Sequence, residues 1–364
     1  MDRRTLIKKT AAVGVGLAAA VPASLLWTAA YESAQVSKAV MPIDIAPGTV
    51  DDLRGELHRL ANDYVHTSDL PRIIGSVILL RDRLAVQVDP RRPHPRQARE
   101  LYLMMGATCL LLASISHDLG ESDAGMMQAK SAEVFADLAE YPELTAWVLC
   151  TQAMIDLWRQ RPADALRHAE RGRAMSITGS GSVRLTGLHV RALAQLNRKD
   201  EAKALLPRVE RTAGRVTRTD ALAELGTVFS FPETRQRYYA AVSHTELGNY
   251  PAVERAVAAL GHDDQPPSSS DGAWPISWAL SRCYLALARL DHRGSDGGPE
   301  AAAQALRPVL SLAEPQRINQ LGQVFDQING RLTTPMFSGN STAQELRDTL
   351  HNFRPDKRLA VTGG

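Results

Sequence analysis

Cysteine is scarce: Cys109, Cys150 and Cys283 are the only three in 364 residues. They are far apart, and each lies inside an apolar run. An odd number without short spacing supplies neither a disulfide framework nor a zinc site, so they read as buried free thiols. Aromatic residues make up only 5% of the chain. Alternating apolar and polar stretches are missing too; "GTVFSF" (226–231) is the one weak strand candidate. Neither sign of charge is in excess, with 42 basic against 40 acidic residues. Such a balance sets up no global field for nucleic acid or anionic lipid.

Signatures of chemistry are also lacking. There is no phosphate-binding Gly-x-x-x-x-Gly-Lys-Ser/Thr loop, no His-Glu-x-x-His pair and no Gly-x-Ser-x-Gly elbow. Gly179, Ser180, Gly181 and Ser182 form a Gly-rich turn, but no strand precedes it. It reads as an inter-repeat loop with Ser182 as N-cap. His58 and His66 share a helix face yet lie more than two turns apart, too far for one metal, and His168 with Glu170 has no second ligand nearby. No catalytic, cofactor-binding or metal-ligating residue is assigned, and a non-catalytic protein is expected.

What remains is helical. Hydrophobic residues make up 44% of the chain, and Ala and Leu lose least on entering a helix. In "DDLRGELHRLANDYVH" the residues Leu53, Leu57, Leu60, Ala61 and Tyr64 fall on one face. Residues 47–90 read as a first helix pair, and "RRPHPR" (91–96) as a stiff proline-rich linker. Residues 97–261 then read as a repeat array, 262–273 as a mobile loop, 274–353 as C-terminal repeats with a capping helix, and 354–364 as a flexible tail. Gly120 and Gly248 are placed to end first helices in the left-handed conformation. Thr342 with Glu345 forms the capping box of the last helix.

The second helices carry residues spaced by four and three: Gly125, Ala129, Ala132; Ala165, Ala169, Gly172; Ala202, Leu206, Val209; and Ala252, Ala256, Ala259. Ala301, Ala305 and Pro308 continue the pattern, with Pro308 expected to distort or end its helix. The sets begin at 125, 165, 202, 252 and 301, so the intervals are 40, 37, 50 and 49 residues. A repeated helix pair of this length predicts an all-α fold, an α-solenoid.

"ELGNYPAVERAVAAL" and "LNRKDEAKALL" resemble the turn and second helix of a tetratricopeptide repeat, through Leu247, Gly248 and Tyr250, and through Asp200, Glu201 and Ala202. Residues 47–330, with "SHDLGESDAG", "LTAWVL" and "RQRYYAAVSHTELGNY", resemble the repeat-bearing sensor half of actinobacterial helix-turn-helix regulators. The resemblance implies a sensor with a peptide, small molecule or protein partner in its groove. Residues before 47 leave no room for that family's DNA-binding head, so direct DNA binding is not expected.

The start resembles a twin-arginine export motif through Arg3, Arg4, Leu6, Ile7 and Lys8, followed by a weakly apolar run at 10–30. Residues 1–41 are therefore a signal, a membrane anchor or a packed helix. The reading adopted is cytoplasmic; export or anchoring of a protein-assembly scaffold is the alternative. In stacked helix pairs the first helices line the groove. Candidate groove residues are Trp147, Trp158, Arg184, Arg191, Arg235, Arg237, Tyr238 and Tyr239, because Trp, Tyr and Arg make the strongest contacts and Arg forks onto carboxylates.

Overall fold

Leu53, Leu57, Leu60, Ala61 and Tyr64, the residues spaced for one helix face, are all buried. The same rule builds the rest of the molecule. The structure is a computed structural model that describes residues 23–38, 47–66, 70–88, 95–175, 179–213, 221–260, 275–292, 294–295 and 297–353. Among the described residues the fold is all-α, without a strand. Three helices come first: α1 (Ala23–Lys38), α2 (Pro47–His66) and α3 (Leu70–Gln87). Six pairs follow. They are α4 (Pro95–Asp118) with α5 (Ser122–Ala139), α6 (Pro142–Trp158) with α7 (Pro162–Ala174), and α8 (Ser180–Gln195) with α9 (Lys199–Ala213). Then come α10 (Glu233–Glu246) with α11 (Tyr250–Ala258), α12 (Pro275–Asp291) with α13 (Pro299–Leu310), and α14 (Asn319–Leu332) with α15 (Ser341–Asn352).

Four pair turns share one backbone shape. Gly120, Gln160, Asn197 and Gly248 take positive φ values of 91°, 58°, 60° and 72°. After each, the next N–H bonds back across the turn: Glu121 to Ser116 O, Arg161 to Asp156 O, Arg198 to Leu193 O and Asn249 to His244 O, at 2.8–2.9 Å. This bond satisfies a carbonyl that the helix end leaves orphaned. Glycine enters the left-handed region without a Cβ penalty, whereas Gln160 and Asn197 pay one.

Small residues set the spacing within pairs. Gly125, Ala129, Ala132, Ala165, Ala169 and Gly172 are buried. A Cβ on Gly125 would lie 2.8 Å from the Ala113 carbonyl oxygen of its partner α4, and one on Gly172 would overlap Leu185 of α8, so the small residues also set the spacing to the next pair. Each first helix also touches the next, in the series α4, α6, α8, α10, α12, α14. The series then comes back on itself, for α14 meets α4 and Gln320 Nε2 donates to Asp118 Oδ1 at 2.8 Å. One apolar core runs from Leu26 to Phe353. The stretch 97–118 within α4 is long and apolar enough to cross a membrane, but 72% of it is buried inside the protein.

Several expectations change. Pro95 and Arg96 belong to α4 and not to the linker, because proline suits the first helical turn, where its missing N–H costs nothing. "GTVFSF" carries a 3-10 turn at Thr227–Phe229 instead of a strand. The cap of α8 is Gly179, not Ser182, and that of α15 is Asn340, whose side chain accepts from Ala343 N at 2.7 Å, not Thr342. Ala259 lies just past the end of α11 and is exposed. Pro308 falls in the last turn of α13, which runs two residues past it to Leu310. Residues 1–22, with Arg3, Arg4, Leu6, Ile7 and Lys8, lie outside the described residues, as do 91–94, the loop 262–273 and the tail 354–364.

Residues 23–38 of the leader form a helix packed on α5 and α3. Leu26, Ala29, Ala30 and Ser33 are buried. Arg81 of α3, itself only 1% exposed, donates to Ala29 O at 2.6 Å and pairs with Glu32 at 2.7 Å.

Candidate functional site

Residues one or two turns apart on a helix point the same way. Arg184 and Arg191 are seven apart on α8, and Arg235 and Tyr239 are four apart on α10. Their side chains meet in an interior cleft of about 70 Å³. All six first helices contribute to its lining: Asp118 from α4, Trp158 from α6, Ser277 from α12 and Gln320 from α14 complete the ring, and α2 adds Tyr64. Ser114, Met154 and Ile276 are its half-buried members.

Three guanidiniums therefore face one small space. Arg184 is 2% exposed. Its Nε donates to Tyr239 OH at 3.0 Å, its Nη2 lies 3.3 Å from Met154 Sδ, and its charge sits 4.8 Å over the Trp147 ring. Arg184 has no carboxylate partner among the described residues. Arg191 pairs with Glu246 at 3.2 Å, donates to Tyr284 OH at 3.0 Å and stacks 4.9 Å over Trp158. Arg235 donates to the carbonyls of Val228 and Ser230, both at 3.1 Å, and lies 5.6 Å over Trp147. Burial, and then the charge of Arg184, bring the Arg235 acid constant down to about 10. Two aromatic faces thus serve as the floor under three cations.

The opposite wall is acidic. Asp118 accepts from Tyr64 OH at 2.5 Å and from Gln320 Nε2 at 2.8 Å. Burial pushes its carboxyl up to about 6, against the pull of these hydrogen bonds and of Arg235. Burial likewise raises the Tyr64 and Tyr238 phenols and lifts the Cys150 thiol to about 12. The two phenols and the thiol stay protonated near neutrality. Gln320 Oε1 is buried and accepts no hydrogen bond from the described residues.

Of the candidates named from sequence, Trp158, Arg184, Arg191, Arg235, Tyr238 and Tyr239 line the cleft, and Trp147 lies beneath it. Arg237 does not join them. It is half-exposed and pairs with Glu233 on its own helix, two residues round from Arg235 and so on the opposite face. Tyr64, Asp118 and Gln320 were missed as site residues. Tyr64 reads as plain core, and nothing local marks Gln320. The free thiols Cys109, Cys150 and Cys283 are all buried, as expected. No group of three His, Cys, Asp or Glu side chains among the described residues is placed to hold a metal. Comparison with known proteins finds no matching family model, curated protein or solved structure.

Proposed function

We propose that the protein is a non-catalytic helical-repeat binding protein, a sensor whose first helices close around a small-molecule ligand. The observation that carries this is the convergence of six first helices on a single cleft lined by buried Arg, Trp and Tyr. Sites of this kind, concave and aromatic with a few converging polar groups, suit small ligands. Four identical pair turns and the serial contacts of the first helices support a tetratricopeptide-like array. The array would be curled shut, which favours a small molecule over the peptide expected for an open trough. The Tyr64 and Tyr238 phenols on its lining, kept protonated by burial, support holding a ligand without transforming it.

The cytoplasmic reading draws support from α1. Its Leu26, Ala29 and Ala30 are buried against α3 and α5, which favours a segment that stays part of the fold. Native mass spectrometry tests the binding reading. The full-length protein is incubated with a small-molecule extract of its own cells and then desalted. One compound should be retained and later released with its mass unchanged. Ser114→Phe, whose ring fills the cleft, should retain none while melting cooperatively. Release of an altered compound, or equal retention by the variant, would overturn the proposal.

A further inference from the structure

We infer that the cleft ligand carries an oxyanion, a phosphoryl or carboxylate group held between Arg184 and Arg235, with a hydroxyl beside it donating to Gln320 Oε1. This rests on the binding role proposed above and narrows it to one class of chemistry. The charge balance is the first argument. Arg184, Arg191 and Arg235 face the cleft; Arg191 engages Glu246, whereas Arg184 meets no carboxylate among the described residues. The positive charge of Arg184 is therefore the one a ligand anion would meet. Arg184 meets only a phenol, a thioether and an aromatic face, which is poor compensation for a guanidinium out of water. Arginine forks suit planar carboxylate and phosphoryl oxygens.

Size is the second argument. One buried water needs roughly 10–15 Å³ of such space, so a cleft of about 70 Å³ holds about five to seven water-sized groups. A phosphoryl or carboxylate group with one or two neighbouring atoms fills it. A peptide does not enter. The third argument is Gln320. Its Nε2 is committed to Asp118, and its buried Oε1, on the lining of the same cleft, has no donor among the described residues. A ligand hydroxyl supplies that donor. The lowered acid constant of Arg235 fits the same picture, since a neighbouring anion would relieve the repulsion from Arg184.

Trp147 and Trp158 lie under the three guanidiniums, so their fluorescence reports occupancy. The full-length protein is titrated at constant ionic strength with inorganic phosphate, glycolate, glycerol and ethanolamine. Phosphate or glycolate should give a saturable change, and whichever does so identifies the oxyanion. Arg184→Gln should weaken that response about tenfold or more. Asp118→Asn removes a like charge from the wall, and Gln320, flipped to accept from the new amide, turns an N–H toward the cleft, so oxyanion binding should tighten. If Arg184→Gln does not melt cooperatively, the Asp118→Asn shift decides. A response to glycerol or ethanolamine and to neither oxyanion, or weaker binding in Asp118→Asn, would overturn the inference. Retention of an uncharged compound from cell extract would sink the charge assignment and leave the binding role standing. Retention of nothing would sink the binding role itself.

Discussion

His117 and Asp118 are neighbours in sequence, yet burial moves their protons in opposite directions. His117 falls to about 3 from an ordinary 6.5, through burial and then the charges of Arg191 and Arg159. Asp118 rises to about 6 from 3.8. Between pH 4 and 6 the unfolded chain therefore holds one more proton at His117 and one fewer at Asp118. The histidine term lowers stability as pH falls, and the aspartate term raises it. Each amounts to about 1.4 kcal/mol per pH unit, so the two cancel. The pair therefore adds little net slope to the wild-type urea-unfolding profile across this window. Asp118→Asn removes one side of the balance and keeps an amide that can accept from Tyr64 once Gln320 flips. Its stability should fall by roughly 2–3 kcal/mol from pH 6 to pH 4. Parallel pH profiles for the two proteins would contradict the assignment. The residue scale was only partly legible in the sequence. Tyr64 and Asp118 each look local, and the hydrogen bond between them spans 54 positions. Arg237 was misjudged for a reason the sequence already held, since residues two apart on a helix face opposite ways.

At the scale of elements the sequence said more, because the helix period and the small-residue spacing are local. The triplets on α5 and α7 mark true contact faces. The spacing weakens where the neighbouring helix falls away, as at Ala259 beyond the end of α11. Pair turns were legible where glycine fills them, at 120 and 248, and hidden where Gln160 and Asn197 take the same conformation. Glycines inside helices separate by what faces them. A Cβ at Gly125 meets the backbone of α4, which cannot move aside alone, so α4 and α5 must part. Gly125→Ala should cost about 1–3 kcal/mol. Gly75 in α3 has nothing within 4 Å of a built Cβ. Gly75→Ala should stabilise by about 0.5–1 kcal/mol, because alanine loses less entropy on entering a helix. Thermal melts of both variants read the signs. Shifts of equal sign would show that contact does not govern these positions.

The whole molecule is where the sequence was least informative. A local pattern predicts stacked pairs and leaves their curvature open, so an open trough was expected. The structure curls until α14 reaches α4 and Gln320 bonds Asp118, 202 residues away. That closure forms a cleft and gathers arginines from two helix pairs, α8 and α10 with their partners, around one space. It also changes how the molecule should open. In a linear array each repeat depends on its neighbours alone, and a change at one end stays there. In a closed one, loosening the seam exposes both ends together. Gln320→Leu removes a donor from the buried Asp118 carboxylate at a cost of about 1–3 kcal/mol. Hydrogen exchange should then speed up at 114–120 on α4 and at 318–322 on α14 by similar factors. The amides of α8 and α9, far from the seam in the series, should keep their wild-type rates. Faster exchange in α14 alone would mean that the two ends touch without supporting each other. The cleft would then owe its shape to α8 and α10, and Gln320 would be a bystander to binding.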